Sequence, residues 1–419
     1  LPTKKVDTFV STFWGTVHCD SFLNSYYYQS GGDSTYTISF CLGGQVSQLD
    51  PGPKCLTPGG IVSIDCAPSC LNDDTGCSWS YVGSSSFSTG AADNNNLIID
   101  NNIPYVAYVD VANGNRLSVQ KYNGSSWEYV GGPGFSGESQ EGSMDFFVEN
   151  GTPYVAYAAP CCPNQVFVMK YDGLSWISIG SNLNDSGGKK LSLAVVNSVP
   201  YVSFSNEDLS LNGRASVKTY NGSSWEYLGG TSASSDPIGE IDLTSSNGEL
   251  YIVYMEDITF NVVVKKFNGT SWESVGNSDI SGGHDIFGPN LVFNNQDLYL
   301  SYRDASDGNV LVVKKLNGTN WESLSQPSLP TGPAYWPSLK FYNNSPFVAF
   351  LNYDSEVKTS LMKYDGSSWN YVGGNSFGPG YVGLQSLFIN NGVPYIAFSE
   401  VLSVSPLEFG KISVMKLSR

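Results

Sequence analysis

Residues 125–136 read Ser125-Ser126-Trp127-Glu128-Tyr129-Val130-Gly131-Gly132-Pro133-Gly134-Phe135-Ser136. Close variants of the Ser-Trp-x-x-Val-Gly core return along the chain. Seven of the nine tryptophans sit in it: Trp79, Trp127, Trp176, Trp225, Trp272, Trp321 and Trp369. They are spaced by 48, 49, 49, 47, 49 and 48 residues. A fixed period of this size is the signature of a repeat architecture. The unit ending at Trp225 shows its grammar. Leu191–Val196, Pro200–Phe204, Ala215–Tyr220 and Trp225–Leu228 are short runs rich in β-branched and aromatic residues. Asn197-Ser198 and Asn221-Gly222-Ser223-Ser224 separate runs within the unit, as hairpin turns do.

Four strands per unit at this spacing predict propeller blades. The second strand supports this. Pro104-Tyr105-Val106-Ala107-Tyr108 and its counterparts near Tyr154, Tyr201, Tyr251, Tyr299, Phe347 and Tyr395 are apolar at successive positions. Side chains of a strand alternate faces, so both faces must be covered, as they are when a blade packs between two others. The ends set the count. Ile412–Arg419 aligns with a third strand and has no Trp strand after it, while residues 78–83 form a Trp strand with no third strand before it. Joining them closes a ring of seven blades without an exposed edge. The predicted fold is therefore an all-β, seven-bladed propeller over 77–419. Residues 1–76 lie outside the period and predict a small, cysteine-rich N-terminal β domain, for anchoring or assembly.

Only 14% of the 419 residues are charged, against about 25% in typical soluble proteins. The net charge of −17 argues against nucleic acid and anionic lipid as partners. No apolar run approaches the roughly 20 residues that span a bilayer, so no membrane span is expected. The start at Leu1 and the cysteines suggest a mature, exported, disulfide-bonded chain. Cys19, Cys41, Cys55, Cys66, Cys70 and Cys77 cluster at the N-terminal end, and Cys161 and Cys162 are adjacent. All eight are disulfide candidates, and spacing does not choose their pairing.

Pro153-Tyr154-Val155-Ala156-Tyr157, Val168-Met169-Lys170-Tyr171-Asp172-Gly173 and Ser175-Trp176 resemble a repeat of secreted bacterial and algal surface propellers. The Gly134-Phe135-Ser136 segment extends the likeness. Asp365-Gly366-Ser367-Ser368-Trp369 is similar to the Asp-box turn of sialidases. Sialidases bring three arginines together at the channel. This chain has Arg116, Arg214, Arg303 and Arg419, of which Arg116 and Arg214 fall at the starts of third strands. The resemblance implies a fold and assigns no catalytic residue.

Several polar columns recur. Lys121, Lys170, Lys266, Lys315, Lys363 and Lys416 occupy the third strands, and register predicts that Lys121, Lys266 and Lys315 face Glu128, Glu273 and Glu322. Asp110, Asn206, Glu256, Asp304, Asn352 and Glu400 close the second strands, with Ala159 the exception, and can bond the following turn. No cofactor is expected, with calcium on Asp304, Asp307 and Asn309 as the one candidate. The only histidines are His18 and His284, so histidine-based catalysis has little material. Asp145, Glu240 and Asp242 near inner strands are the one candidate acid/base set.

Sequons occur at Asn123, Asn150, Asn184, Asn221, Asn268, Asn317 and Asn343. Six of them fall in turns between strands one and two or three and four, which share one face of a propeller. The opposite face carries long Gly/Ser/Pro loops such as 131–141 and 326–336, where binding is expected. The expected function is a non-enzymatic extracellular scaffold or adhesion protein, binding a protein or glycan on a cell surface through that face. The β-prone run Val6–Trp14 suggests self-assembly into a filament by strand donation. The alternative is a multivalent lectin, and behind it a sialidase-like glycoside hydrolase.

Overall fold

The computed structural model describes the backbone of 27–30, 36–42, 52–57 and 60–62. From 70 onward it describes all residues except 72, 73, 75, 140–142, 161–164, 184–187, 278–279, 325–328, 330–331, 353–356, 380–381 and 405–406. Cys19, Cys66, Cys161, Cys162, Asn184 and the run Val6–Trp14 lie outside the described residues. The chain divides into two compact units, 1–76 with Arg419, and 77–418. The first contains a four-stranded antiparallel sheet of Tyr27–Ser30, Tyr36–Leu42, Gly52–Thr57 and Gly60–Val62, with Cys41 and Cys55 on its second and third strands. Cys70 and Cys77 form a disulfide.

The second unit is the predicted propeller. Each blade is a four-stranded antiparallel meander, as in blade 1, Ala92–Asp100, Ile103–Asp110, Arg116–Tyr122 and Trp127–Tyr129. The innermost strands of blades 2 to 6 are Met144–Glu149, Gly188–Val196, Ile238–Ser246, Ile286–Asn294 and Ala334–Tyr342. Blade 7 consists of Val382–Asn390, Val393–Val404 and Leu407–Ser418, completed by Ser78–Tyr81. Its closing register pairs Met415 with Tyr81 and Leu417 with Trp79. Among the described residues the only helical segment is a 3-10 turn at Val111–Asn113. None of their helices is long and apolar enough to cross a membrane.

The repeated tryptophan joins blade to blade. Trp127 Nε1 donates to the Val82 carbonyl at 2.7 Å, Trp176 to Val130 at 2.7 Å, Trp225 to Ile179 at 2.8 Å and Trp272 to Leu228 at 2.8 Å. The acceptor is the Val, Ile or Leu of the preceding Trp-x-x-Val-Gly motif. The glycine after it clears room for the indole. At Gly229, φ is +76°, and an added Cβ would lie 2.7 Å from Trp272 Cδ1. A phenylalanine covers the other side at two of these junctions, with Phe135 of Gly134-Phe135-Ser136 stacked on Trp176 at 4.0 Å and Phe87 on Trp127 at 4.2 Å.

One polar column, the third-strand lysines, differs from expectation in its bonding. Lys121, Lys266 and Lys315 do sit opposite Glu128, Glu273 and Glu322. The ion pairs formed are others: Lys266 to Glu249 at 2.6 Å and Lys315 to Asp297 at 2.7 Å. These acids begin the adjacent second strands, so each ammonium also lies 5.5 Å from a ring centroid, Tyr251 or Tyr299. The glutamates instead accept from the turn asparagines: Asn123 Nδ2 to Glu128 and Asn221 Nδ2 to Glu226, both 2.5 Å, Asn268 to Glu273 at 2.6 Å and Asn317 to Glu322 at 2.8 Å. Asn123 Oδ1 accepts from the Ser125 and Ser126 amides at 2.9 Å, and Asp365 accepts alike from Ser367 and Ser368 at 2.8 Å. These sequon asparagines thus build their own turns. Deleting Ile412–Arg419 removes the third strand that pairs with Trp79. Calorimetry should then show the sharp unfolding transition lost, and an unchanged transition would mean that this pairing does not hold the ring.

Candidate functional site

A blade whose strands run in simple antiparallel order places its one-two and three-four turns at one end. The two-three and blade-to-blade connections lie at the other. Asn123, Asn150, Asn221, Asn268, Asn317 and Asn343 all belong to the first end. The innermost strands begin at the second end and line a central cavity of about 770 Å3.

A polar collar stands halfway along these strands. Each blade contributes one side chain directly before an inward-packed Leu or Phe: Asn96, Asp145, Ser192, Asp242, Asn290, Ser338 and Ser386. Most of them accept the backbone N–H of the next blade's apolar residue. Asp145 Oδ2 accepts from Leu193 at 2.7 Å, Ser192 Oγ from Leu243 at 3.1 Å, Asp242 Oδ2 from Leu291 at 2.9 Å and Asn290 Oδ1 from Leu339 at 2.9 Å. Ser338 and Ser386 do the same for Leu387 and Leu97, at 3.4 and 3.0 Å. Asn96 instead donates Nδ2 to Asp145 Oδ1 at 2.8 Å.

The collar brings two of the three predicted carboxylates together. Ser192 Oγ lies 3.0 Å from Asp145 Oδ2 and 3.1 Å from Asp242 Oδ1. A hydroxyl has one hydrogen to donate, and Ser192 also accepts from Leu243. Both carboxyl contacts are satisfied when one acid carries a proton and donates it to Ser192. Burial pushes Asp145 up to about 6, against the amides of Leu193 and Phe146 that favour its charged form. Asp242 is raised for the same reason. Burial lowers Lys340, two residues beyond Ser338, while the Asp242 and Asp145 carboxylates favour its charged form. Glu240 does not join this cluster. It pairs with Lys190 at 3.0 Å nearer the strand start, and burial raises it.

The strand starts at the mouth are bulged. The ladder between first and second strands slips there in six blades. Asn94, Lys190, Gly288 and Trp336 take positive φ at these slips. Trp336 is the exceptional one: φ is +48°, the indole is 43% exposed, and it lines the cavity. A bulky residue held in this region costs about 1–3 kcal/mol, and such strain concentrates at functional sites. Gln385 of the neighbouring blade points Nε2 at the Trp336 carbonyl, 3.5 Å away. Its Oε1 is buried and has no donor among the described residues. The ring of Tyr335 lies 5.8 Å from that of Trp336, and the Arg303 guanidinium carbon is 4.3 Å from the rings of both Tyr335 and Phe287.

Other predicted residues serve the scaffold. His284 Nδ1 lies 2.7 Å from Asp304 Oδ2. Asp304 Oδ1 accepts from the Asp307 amide at 3.1 Å, and Asn309 takes φ +64°. The carboxylate offered for calcium is thus engaged with the turn and the imidazole. Asp110 accepts from Ser118 at 2.7 Å and Asn113 at 2.9 Å, and Glu400 from Ser86 at 2.8 Å. Trp336, Gln385, Lys340, Ser192 and the Arg303 stack were not among the predicted site residues. One signal was available: Trp336 is a tryptophan off the 48-residue beat.

No protein-family model matches the chain, and no curated protein does. Solved structures do. An ulvan lyase of polysaccharide lyase family PL25, bound to -[GlcA(1-4)Rha3S]-, is 12% identical and superposes with a TM-score of 0.56 over 79% of this chain and 94% of that one. The SapL1 lectin in complex with α-methyl fucoside is 15% identical, with a TM-score of 0.46 over 71% of this chain and 99% of that one. A sialidase of Trypanosoma rangeli is 11% identical, with a TM-score of 0.47 over 81% and 58%. The last two superpose too loosely to add to the first. The expectation of a protein without enzymatic activity is corrected here. It rested on scarce histidine and missing arginines, yet a polysaccharide lyase is built on this same architecture.

The proton at the collar carries a sign. Asp145 binds it more tightly folded than unfolded, so its contribution to stability is complete below its ordinary value of 3.8 and is lost as pH rises to about 6. The loss amounts to about 3 kcal/mol at one pKa unit per 1.36 kcal/mol. Urea unfolding between those limits should show stability falling with pH in the wild type, and a flatter profile in Asp145→Asn. Parallel profiles would show that the collar holds no extra proton.

Proposed function

We propose that the protein is a carbohydrate-active propeller that holds a glycan chain at the channel mouth on the face opposite the sequon-bearing turns. Trp336 carries this reading. An exposed indole in a strained backbone, beside the central cavity, suits a sugar ring. The apolar ring face stacks on the indole. The cavity's volume lies within the range of small-ligand sites. A propeller that shares its architecture with a polysaccharide lyase fits the same class of ligand. The Cys70–Cys77 disulfide fits an extracellular setting, where such chains are met. Glycan-array binding followed by calorimetry should find a ligand whose affinity falls at least about tenfold in Trp336→Ala, a loss of roughly 1.4 kcal/mol or more. Unchanged affinity in that variant removes the mouth from consideration.

A second reading has its own observation, the Asp145–Ser192–Asp242 arrangement. One neutral and one ionised carboxyl are the two states that glycosidic cleavage employs, the first protonating the leaving oxygen and the second acting as base or nucleophile. Incubation with a bound polysaccharide should then yield new chain ends, at a rate reduced at least about a hundredfold in Asp242→Asn. A wild-type protein that binds a polysaccharide and never shortens it is a binding module alone.

A further inference from the structure

We propose that Arg303 is an anion-recognition residue, reading a carboxylate or sulfate substituent on the chain that stacks on Trp336. The inference rests on the glycan reading of the mouth and adds a charge class to it. Arg303 stands opposite Phe287 in the ladder of blade 5, one residue before the second strand ends. Its guanidinium lies between two aromatic rings, Phe287 of its own blade and Tyr335 of blade 6, at 4.3 Å from each centroid. Tyr335 in turn meets Trp336, so Phe287, Arg303, Tyr335 and Trp336 form one continuous row. Both ends of that row are open, since Phe287 is 40% and Trp336 43% exposed.

A guanidinium has two surfaces with different uses. Its faces stack on π-systems, and its edge presents N–H donors in a fixed fork that matches planar or tetrahedral oxyanions. Here the faces are occupied and no hydrogen bond or ion pair engages the edge among the described residues. Glu240 is near enough to feel the Arg303 charge, but its own bond goes to Lys190. An arginine that serves only the fold ordinarily spends those donors on carboxylates or carbonyls. This one is held rigid by its two rings, with its donors unspent beside a strained, exposed indole. The net charge of −17 repels anions at a distance, so selection for an acidic chain has to come from short-range geometry, which a clamped fork supplies.

The test uses the full chain and four probes: an oligogalacturonate, its methyl ester, a sulfated galactan oligosaccharide and its desulfated form. Calorimetry on the wild type should give an acidic-to-neutral affinity ratio of at least about ten in one pair. That pair identifies carboxylate or sulfate as the substituent. In Arg303→Gln the ratio should collapse to about one, and Arg303→Lys, which keeps charge without the fork, should restore only part of it. Equal losses for acidic and neutral probes in Arg303→Gln would make Arg303 a packing residue and overturn the inference, as would a wild-type ratio near one in both pairs. If no probe binds, or if Trp336→Ala binds every probe as the wild type does, the glycan reading of the mouth falls and this inference with it.

Discussion

The hydrogen bond from six of the seven repeated indoles to the carbonyl of the preceding blade is the constraint on which the ring depends. It joins two residues about a period apart, Trp176 with Val130 or Trp272 with Leu228, and so ties a blade to its predecessor. The motif supplies acceptor, donor and space together. Valine, isoleucine or leucine gives the carbonyl and glycine at positive φ leaves the volume, and at Trp79, Trp127 and Trp176 a phenylalanine covers the indole face. Any side chain at Gly131, Gly180 or Gly229 would meet the next indole or its tyrosine or phenylalanine partner below 3.0 Å. The junction between blades 6 and 7 departs from the pattern. Among the described residues Trp79 Nε1 is buried without an acceptor, while its ring stacks on Phe377 at 3.6 Å. Phe377 in turn donates its N–H to the Thr359 carbonyl of blade 6 at 2.9 Å, so the stack joins these two blades in place of the indole bond.

A second set of contacts, nearer the axis, follows from the first. Once blades are fixed at one spacing, the innermost strands stand side by side around the central cavity and their collar residues meet the next blade's backbone. Serine, asparagine and aspartate are short enough to do so, and all of them except Asn96 satisfy a backbone N–H of the next blade. Four of the seven positions do this with neutral side chains. Asp145 and Asp242 do it with ionisable carboxyl groups on either side of Ser192, and Lys340 is the cation that interacts with both. Charge at these positions is more than the backbone bond requires, since Ser338 and Ser386 perform that task as neutral side chains. The excess makes this arc of the channel chemically different from the rest.

The architecture was readable because its determinants are periodic or local. Trp79 through Trp369 mark the beat, and the unmatched strands at 78–83 and 412–419 announce the closure. The sequon face was readable from topology alone. The site was readable only in part. Asp145 and Asp242 stood out as carboxylates on inner strands, but nothing local says that the intervening blade would set Ser192 between them. The lysine column was misjudged because facing positions do not make the shortest bond. Glu128 and its counterparts had a nearer donor in the turn asparagine, leaving Lys266 and Lys315 to the acids that open the second strands. Arg303 was passed over because its partners, Phe287 and Tyr335, come from two blades and face each other only when the ring is closed.

What distinguishes the two ends of the ring is where the repeat is broken. At the sequon-bearing end, Asn123, Asn221 and Asn268 build the same turn with the same bonds, and Asp365 substitutes without altering its backbone contacts. At the other end the blades diverge. The slip at the strand start holds asparagine in blade 1, lysine in blade 3, glycine in blade 5 and tryptophan in blade 6. Phe260, at φ +58° and 39% exposed, is a second large residue held in that strained region, in the two-three connection of blade 4. A fold under selection for stability alone would place asparagine or glycine at such positions, as blades 1 and 5 do. Bulky aromatic groups are retained there against backbone preference, on the face that also carries the stacked guanidinium and the open cavity. The deviations from the repeat therefore gather on the face proposed to hold a glycan, which the repeat itself, being structural, does not mark.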